Sequence, residues 1–167
     1  RKIMKLVILA GGKGTRMGAM TKSIPKPMVP LMRKPILEHQ INFAKTNNFV
    51  ETIFGRKCNI KGINDKNFSV RGFAERQSIN APIQGTAADI IKLSMIEIHN
   101  KITDGVLSAN LLLQVHDELI FEIKESLVEE SVLIIKNIME NVHLQYKDFS
   151  VPLIVDYGFG NTWGESH

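Results

Sequence analysis

Two apolar runs, Leu111 to Val115 and Leu119 to Ile123, flank the polar triplet His116, Asp117 and Glu118. Runs so short, with so tight a polar interval, predict a β-hairpin with acids at its tip. A lone hairpin is marginal in water, so the chain must supply further strands and a helical layer to cover it. Residues 125 to 142 place Val128, Val132, Ile135, Met139 and Val142 at steps of four and three, which predicts a helix with one apolar face. Glu129, Glu130, Lys136 and Glu140 would then face water. Upstream, Gly85 and Thr86 predict a helix start, with Thr86 as N-cap and Asp89 as its partner three positions on. Ala87, Ile90, Ile91, Leu93, Ile98 and Ile102 would form its buried stripe, and Asp104 with Gly105 its end. His99 on this helix reads as an ordinary, partly exposed histidine. Residues 151 to 157 offer a last strand opening at Pro152, with Gly158, Gly160 and Trp163 closing the chain. The expected architecture is α/β: an antiparallel sheet backed by two helices.

The hairpin tip has two readings. Two adjacent carboxylates on rigid strands repel each other and a divalent cation offsets that repulsion, so the tip suits magnesium; it also suits a plain solvated turn. A second polar pattern precedes it. Arg76, Asn80 and Gln84 recur every four residues and share one face if residues 71 to 81 are helical. Long polar side chains in such a row suit minor-groove edges and sugars, and they suit a water-exposed helix face equally well.

The first forty-nine residues have a different character. Lys5 to Ala10 is a short apolar run ending at a glycine pair, which predicts a buried parallel strand feeding a loop. Gly11, Gly12 and Gly14 let the backbone turn its amides toward an anion, and Lys13 and Arg16 add charge. Pro25, Pro27 and Pro30 fix an extended segment that presents Lys26. Ile36 to Asn47 has near-helical apolar spacing, with Asn47 and Asn48 as end signal. One strand and one helix leave apolar faces uncovered, so this part is expected to be a loosely attached appendage. The text changes near residues 48 to 50 without any Gly/Ser linker.

Charge follows the same division. Residues 1 to 49 hold ten Lys or Arg and one acid, Glu38; residues 102 to 167 hold three basic residues and eleven acids. Basic stretches suit phosphates, and an acidic end suits metal. The single cysteine, Cys58, has no disulfide partner within the chain,. No apolar run approaches the roughly 18 residues of a membrane helix, and Leu6 to Ala10 is too short for a secretory signal. The expected compartment is the cytoplasm, with no membrane partner.

Residues 9 to 31 resemble the start of the sugar-1-phosphate nucleotidyltransferases. That resemblance implies that Gly11, Gly12, Gly14, Thr15, Arg16 and Lys26 hold nucleotide phosphates. The block from Val70 to Asp89, and the text from there to His167, closely resembles family A DNA polymerases of the bacterial repair type. This second resemblance implies a partial polymerase palm, primer-template DNA and deoxynucleoside triphosphates as partners, and Mg2+ as cofactor. Arg76, Asn80 and Gln84 would contact template and primer. Asp117 would be a metal ligand, Glu118 a carboxylate of lesser importance, and His116 a contact to the primer end. The family's first acidic strand, with its Asp-Tyr-Ser type motif, has no counterpart in the chain, nor has its nucleotide-gripping helix. The expected division is therefore 1–49, an incomplete phosphate-loop segment, and 50–167, a palm segment inactive alone. Arg1 stands where a methionine would open a reading frame, so the chain is expected to begin inside a longer one or to carry extra residues before Met4. Its ending resembles the polymerase terminus. Three alternatives stand beside the polymerase reading: a sugar-1-phosphate nucleotidyltransferase, a non-catalytic primer-template binding module, and a recombinant fusion without a selected role.

Overall fold

A computed structural model of the chain describes residues 3–10, 30–145 and 152–166. In chain order the elements are β1 (Ile3–Ala10), β2 (Pro30–Leu31), β3 (Lys34–Pro35), α1 (Ile36–Asn47), β4 (Phe49–Glu51), β5 (Lys57–Asn59), α2 (Phe68–Thr103), β6 (Asn110–Val115), β7 (Glu118–Lys124), α3 (Val128–Asn141) and β8 (Val155–Gly160). The chain divides into two compact units, Arg1–Gly12 with Ala88–His167, and Lys13–Ala87. That division does not fall at the change of text near residues 48 to 50.

The first unit is built on a four-stranded sheet in the order β6-β7-β1-β8. β1 runs antiparallel to both neighbours, from Ile3 opposite Lys124 to Leu9 opposite Glu118, and from Lys5 opposite Gly160 to Ala10 opposite Val155. Two sequence expectations are corrected here. β1 is antiparallel rather than parallel, and it is an interior strand rather than part of a loose appendage. A continuous apolar run is what a strand covered on both faces needs; it carries no information about the direction of the neighbours.

The hairpin of β6 and β7 forms as its residues predict, with Val115 opposite Glu118. Alternation along β7 sends Leu119, Phe121 and Ile123 into the core, where they cluster with Val128, Val132, Ile135 and Met139 of α3, Ile91 and Ile98 of α2, and Val155 of β8. The apolar face read on α3 is the buried one. Its polar face is less solvated than expected, because Glu140 is half-buried and its carboxylate accepts the backbone N–H of Val155 at 3.0 Å. On α2, Ile90, Ile91 and Ile98 are buried, whereas Ala87 is exposed. Gly105, with φ of 73°, ends that helix: the N–H groups of Val106 and Leu107 both reach back to the carbonyl of Lys101 at 3.0 Å,.

β8 begins three residues later than Pro152 and includes both glycines read as closing punctuation. The glycines are structural. A Cβ on Gly160 would stand 2.7 Å from Cβ of Glu165, and one on Gly158 would collide with the carbonyl oxygen of Ser166. The short 3-10 turn at Trp163–Glu165 therefore lies directly against the strand's backbone.

In the second unit, α1 occupies the residues its spacing predicts, and Asn48 closes it in the left-handed region at φ 61° with its N–H on the carbonyl of Ala44,. Ala44 packs with Val50, Ile60, Ile63 and Ala74. Lys45 of α1 pairs with Glu75 of α2 at 2.8 Å. The largest departure from the sequence reading is α2, a single helix from Phe68 to Thr103 with Pro82 inside it. Asn67 caps it, accepting the N–H of Ser69 at 2.9 Å,. Thr86 is not an N-cap. Its hydroxyl donates to the carbonyl of Pro82 at 2.6 Å and accepts the N–H of Ile53 at 3.1 Å. A threonine followed by an acid mimics a helix start, but inside a helix the same hydroxyl bonds four residues back. An interior proline costs about 3 kcal/mol. The side-chain ties of Thr86 to Ile53 and of Arg56 to the Gly85 carbonyl, the latter at 2.9 Å, hold this stretch.

Candidate functional site

The acidic tip is a two-residue connection, His116 and Asp117, between β6 and β7. His116 lies at φ 50°, a conformation that costs a non-glycine residue roughly 1–2 kcal/mol. The turn is braced from within, as the amide of Gln114 donates to the carbonyl of His116 at 2.5 Å. A strained, braced turn holds its side chains in one place. His116 and Asp117 are exposed, and Glu118 is half-buried.

The register defines what flanks this tip. Glu118 stands opposite Leu9 of β1, and Leu9 stands opposite Asp156 of β8. Residues directly opposite share a sheet face, so Glu118 and Asp156 occupy one face with a strand between them, their Cα atoms roughly 10 Å apart. Asp156 had no signal in the sequence, since only the strand register brings it into this row. β1 itself, Ile-Met-Lys-Leu-Val-Ile-Leu-Ala, contains no acid. Among the described residues no group of three or more His, Cys, Asp or Glu side chains is arranged to hold a metal ion. A two-metal centre for phosphoryl transfer needs carboxylates converging from more than one strand. The described residues do not fit one: Asp117 and Glu118 are adjacent in one hairpin, and the strand beside them, β1, contains no acid.

Arg76, Asn80 and Gln84 lie on α2 in the second unit, all three exposed. The opposite side of the helix is its packing face, where Ala74 and Ser78 are fully buried. The three side chains thus form the outward row that their spacing predicts, one turn apart. The row and the acidic tip belong to different compact units. Gly11, Gly12, Gly14, Thr15, Arg16 and Lys26 lie outside the described residues. A groove of about 320 Å³ in the second unit is lined by His39, Gln40, Phe43, Val50, Glu51 and Pro82, and none of the sequence-selected residues borders it. No helix among the described residues is long and apolar enough to cross a membrane.

The family model for DNA polymerase family A matches residues 34–165. The match starts well ahead of the change of text near residue 49, so α1 falls inside it. DNA polymerase I of Rhizobium leguminosarum is 44% identical over 133 residues, which cover 78% of this chain and 13% of that protein. DNA polymerase I of Streptococcus pneumoniae is 41% identical over 133 residues, covering 80% of this chain and 15% of the relative. Among solved structures, the POL domain of Pol1 from M. smegmatis, in complex with DNA primer-template and dNTP, superposes with a TM-score of 0.72 at 38% identity. That superposition covers 78% of this chain and 22% of the other. The chain thus spans about one seventh of the length of the curated relatives it matches.

Proposed function

Because the chain belongs to DNA polymerase family A, we propose that it is a palm segment that binds primer-template DNA along α2 and does not by itself carry out template-directed nucleotidyl transfer. One observation carries the second half of this reading: the acidic hairpin tip stands beside a strand that has no acid. Divalent cations are general to the family. Mg2+ is the ion we propose for it here, with Asp117 as the ligand position, Glu118 as a secondary carboxylate and His116 as the contact to the primer end. Without a carboxylate from the neighbouring strand β1 these groups lack the means to assemble the centre that transfer from deoxynucleoside triphosphates requires,. The cytoplasm is the compartment we propose for it, by its likeness to bacterial DNA polymerase I.

The first half is supported by the outward row of Arg76, Asn80 and Gln84. Binding of a fluorescent primer-template junction, followed by anisotropy over a range of salt, tests it. Affinity is expected to fall with rising salt, and Arg76→Ala to weaken it by about 1–3 kcal/mol. Equal binding by the variant would remove the basis of the proposal.

For residues 1–49 the glycine loop and Lys26 support a second, narrower reading, a phosphate-holding remnant of a sugar-1-phosphate nucleotidyltransferase. Its readout is pyrophosphate release from a nucleoside triphosphate and a sugar-1-phosphate. None is expected, since β1 lies in an antiparallel sheet between β7 and β8.

A further inference from the structure

The outward row on α2 is interrupted by a proline. Arg76 and Asn80 precede Pro82, and Gln84 follows it. Having no N–H, Pro82 cannot donate to the carbonyl of Ser78, and Gly85, three residues on, adds backbone freedom. Proline is the usual place for a helix to kink, so the course of α2 past Pro82 decides where Gln84 stands relative to the other two. What the helix lacks locally is supplied by the turn between β4 and β5. That turn, Thr52–Arg56, is closed on itself: the N–H of Thr52 donates to the carbonyl of Arg56 at 3.0 Å, that of Gly55 to the carbonyl of Thr52 at 2.9 Å, and that of Arg56 to the Thr52 hydroxyl at 3.1 Å. Thr52 is buried. From this braced turn the Arg56 guanidinium donates to the carbonyl of Gly85 at 2.9 Å, and the N–H of Ile53 to the hydroxyl of Thr86 at 3.1 Å. Both acceptors lie immediately after Gln84. The approach is close enough to need a glycine, since a Cβ at position 85 would stand 2.7 Å from Cγ2 of Thr52 and 3.2 Å from Nη2 of Arg56.

We infer that the Thr52–Arg56 turn is a clamp that keeps Gln84 in line with Arg76 and Asn80 across the proline, with Arg56 a positioning residue for the recognition of primer-template DNA. The inference deepens the DNA-binding reading of α2 and rests on it. An exposed arginine on a DNA-binding unit is ordinarily a phosphate contact. Here its guanidinium donates to the helix backbone, and the second tie, Ile53 to Thr86, carries no charge. The pair of ties therefore serves geometry rather than attraction.

Anisotropy of a fluorescent primer-template junction, with the full chain and its variants, tests the role. Arg56→Ala should weaken binding several-fold, at most about tenfold, the scale of one lost polar contact. Its slope of affinity against salt should stay that of the parent, because no phosphate contact is removed. Arg56→Ala should add nothing to the loss from Gln84→Ala and should add in full to that from Arg76→Ala. Gly85→Ala changes no charge and favours helix, yet it should reproduce the loss by pushing the turn away,. Without DNA, the amide of Ile53 should exchange faster with solvent in both Arg56→Ala and Gly85→Ala. A salt slope lowered by about one in Arg56→Ala, or full additivity with Gln84→Ala, would make Arg56 a direct contact and overturn the inference. An Ile53 amide unchanged in both variants would overturn it as well. A parent that does not bind the junction would overturn the DNA reading of α2 and this role together; a parent bound through Arg76, with Arg56→Ala and Gly85→Ala binding equally well, would overturn this role alone.

Discussion

Gly158→Ala is expected to disrupt the C-terminal turn. A methyl group there would overlap the carbonyl oxygen of Ser166 and stand 3.0 Å from its carbonyl carbon. Both are backbone atoms, so no rotamer change relieves the clash; either β8 shifts within the sheet or the segment after Asn161 lifts away. Overpacking of this kind costs about 1–3 kcal/mol. In a chain of this length each kcal/mol lowers the melting temperature by roughly 2–4 °C. Trp163 is the chain's single tryptophan and sits in the displaced turn, so its emission reads the event directly. Urea titration followed by that fluorescence should show a lower midpoint and emission shifted to the red, while Gly164→Ala, whose Cβ meets nothing within 4 Å, should stay within about 0.5 kcal/mol of the parent. A Gly158→Ala protein identical to the parent in midpoint and emission would refute the packing of the turn on β8.

Three further outcomes follow from particular residues. Leu9→Asp places a carboxylate between Glu118 and Asp156, so the variant should take up Mn2+, seen as loss of the free-ion signal in electron paramagnetic resonance. Val7→Asp, flanked by Ile120 and Gly158, should not, and equal uptake by both would refute the register. Ile135 is fully buried on α3 and Leu133 largely exposed, so Ile135→Ala should cost about 2–5 kcal/mol and Leu133→Ala far less; equal losses would contradict the face assigned to the helix. The hydrogen bond from Lys34 holds the Glu38 carboxyl below its ordinary value of 4.5, so whatever the pair contributes is present above that pH and lost as pH falls through the lowered value. A Glu38 titration by carbon NMR with its midpoint at or above 4.5 would contradict this.

Much of this fold is written in local pattern. The spacing of Ile36, Leu37, Ile41 and Ala44, with Asn48 able to take a positive φ, marks α1 to its last residue. The five apolar positions from Val128 to Val142 mark the buried side of α3, and two short runs around His116 and Asp117 mark the hairpin. What escapes local reading depends on partners distant in sequence. The apolar run of β1 says strand, but its place between β7 and β8 is decided by edges more than a hundred residues away. Pro82 and Gly85 look like a break in α2 until Arg56 and Ile53 are seen bonded to that stretch. Gly158 and Gly160 look like a chain ending, whereas the turn folded back upon them makes them part of the strand. The same holds for the site. The row Arg76, Asn80, Gln84 and the acidic tip are visible as patterns, while Asp156 joins Glu118 only through register.

Primer extension by the full chain, with a labelled primer-template, four deoxynucleotides and Mg2+, bears most directly on the claim that an acid-free strand beside Asp117 and Glu118 leaves the palm without its paired-cation centre. The account predicts DNA binding with no extended product. Steady, template-dependent lengthening of the primer that is lost in Asp117→Asn would contradict it.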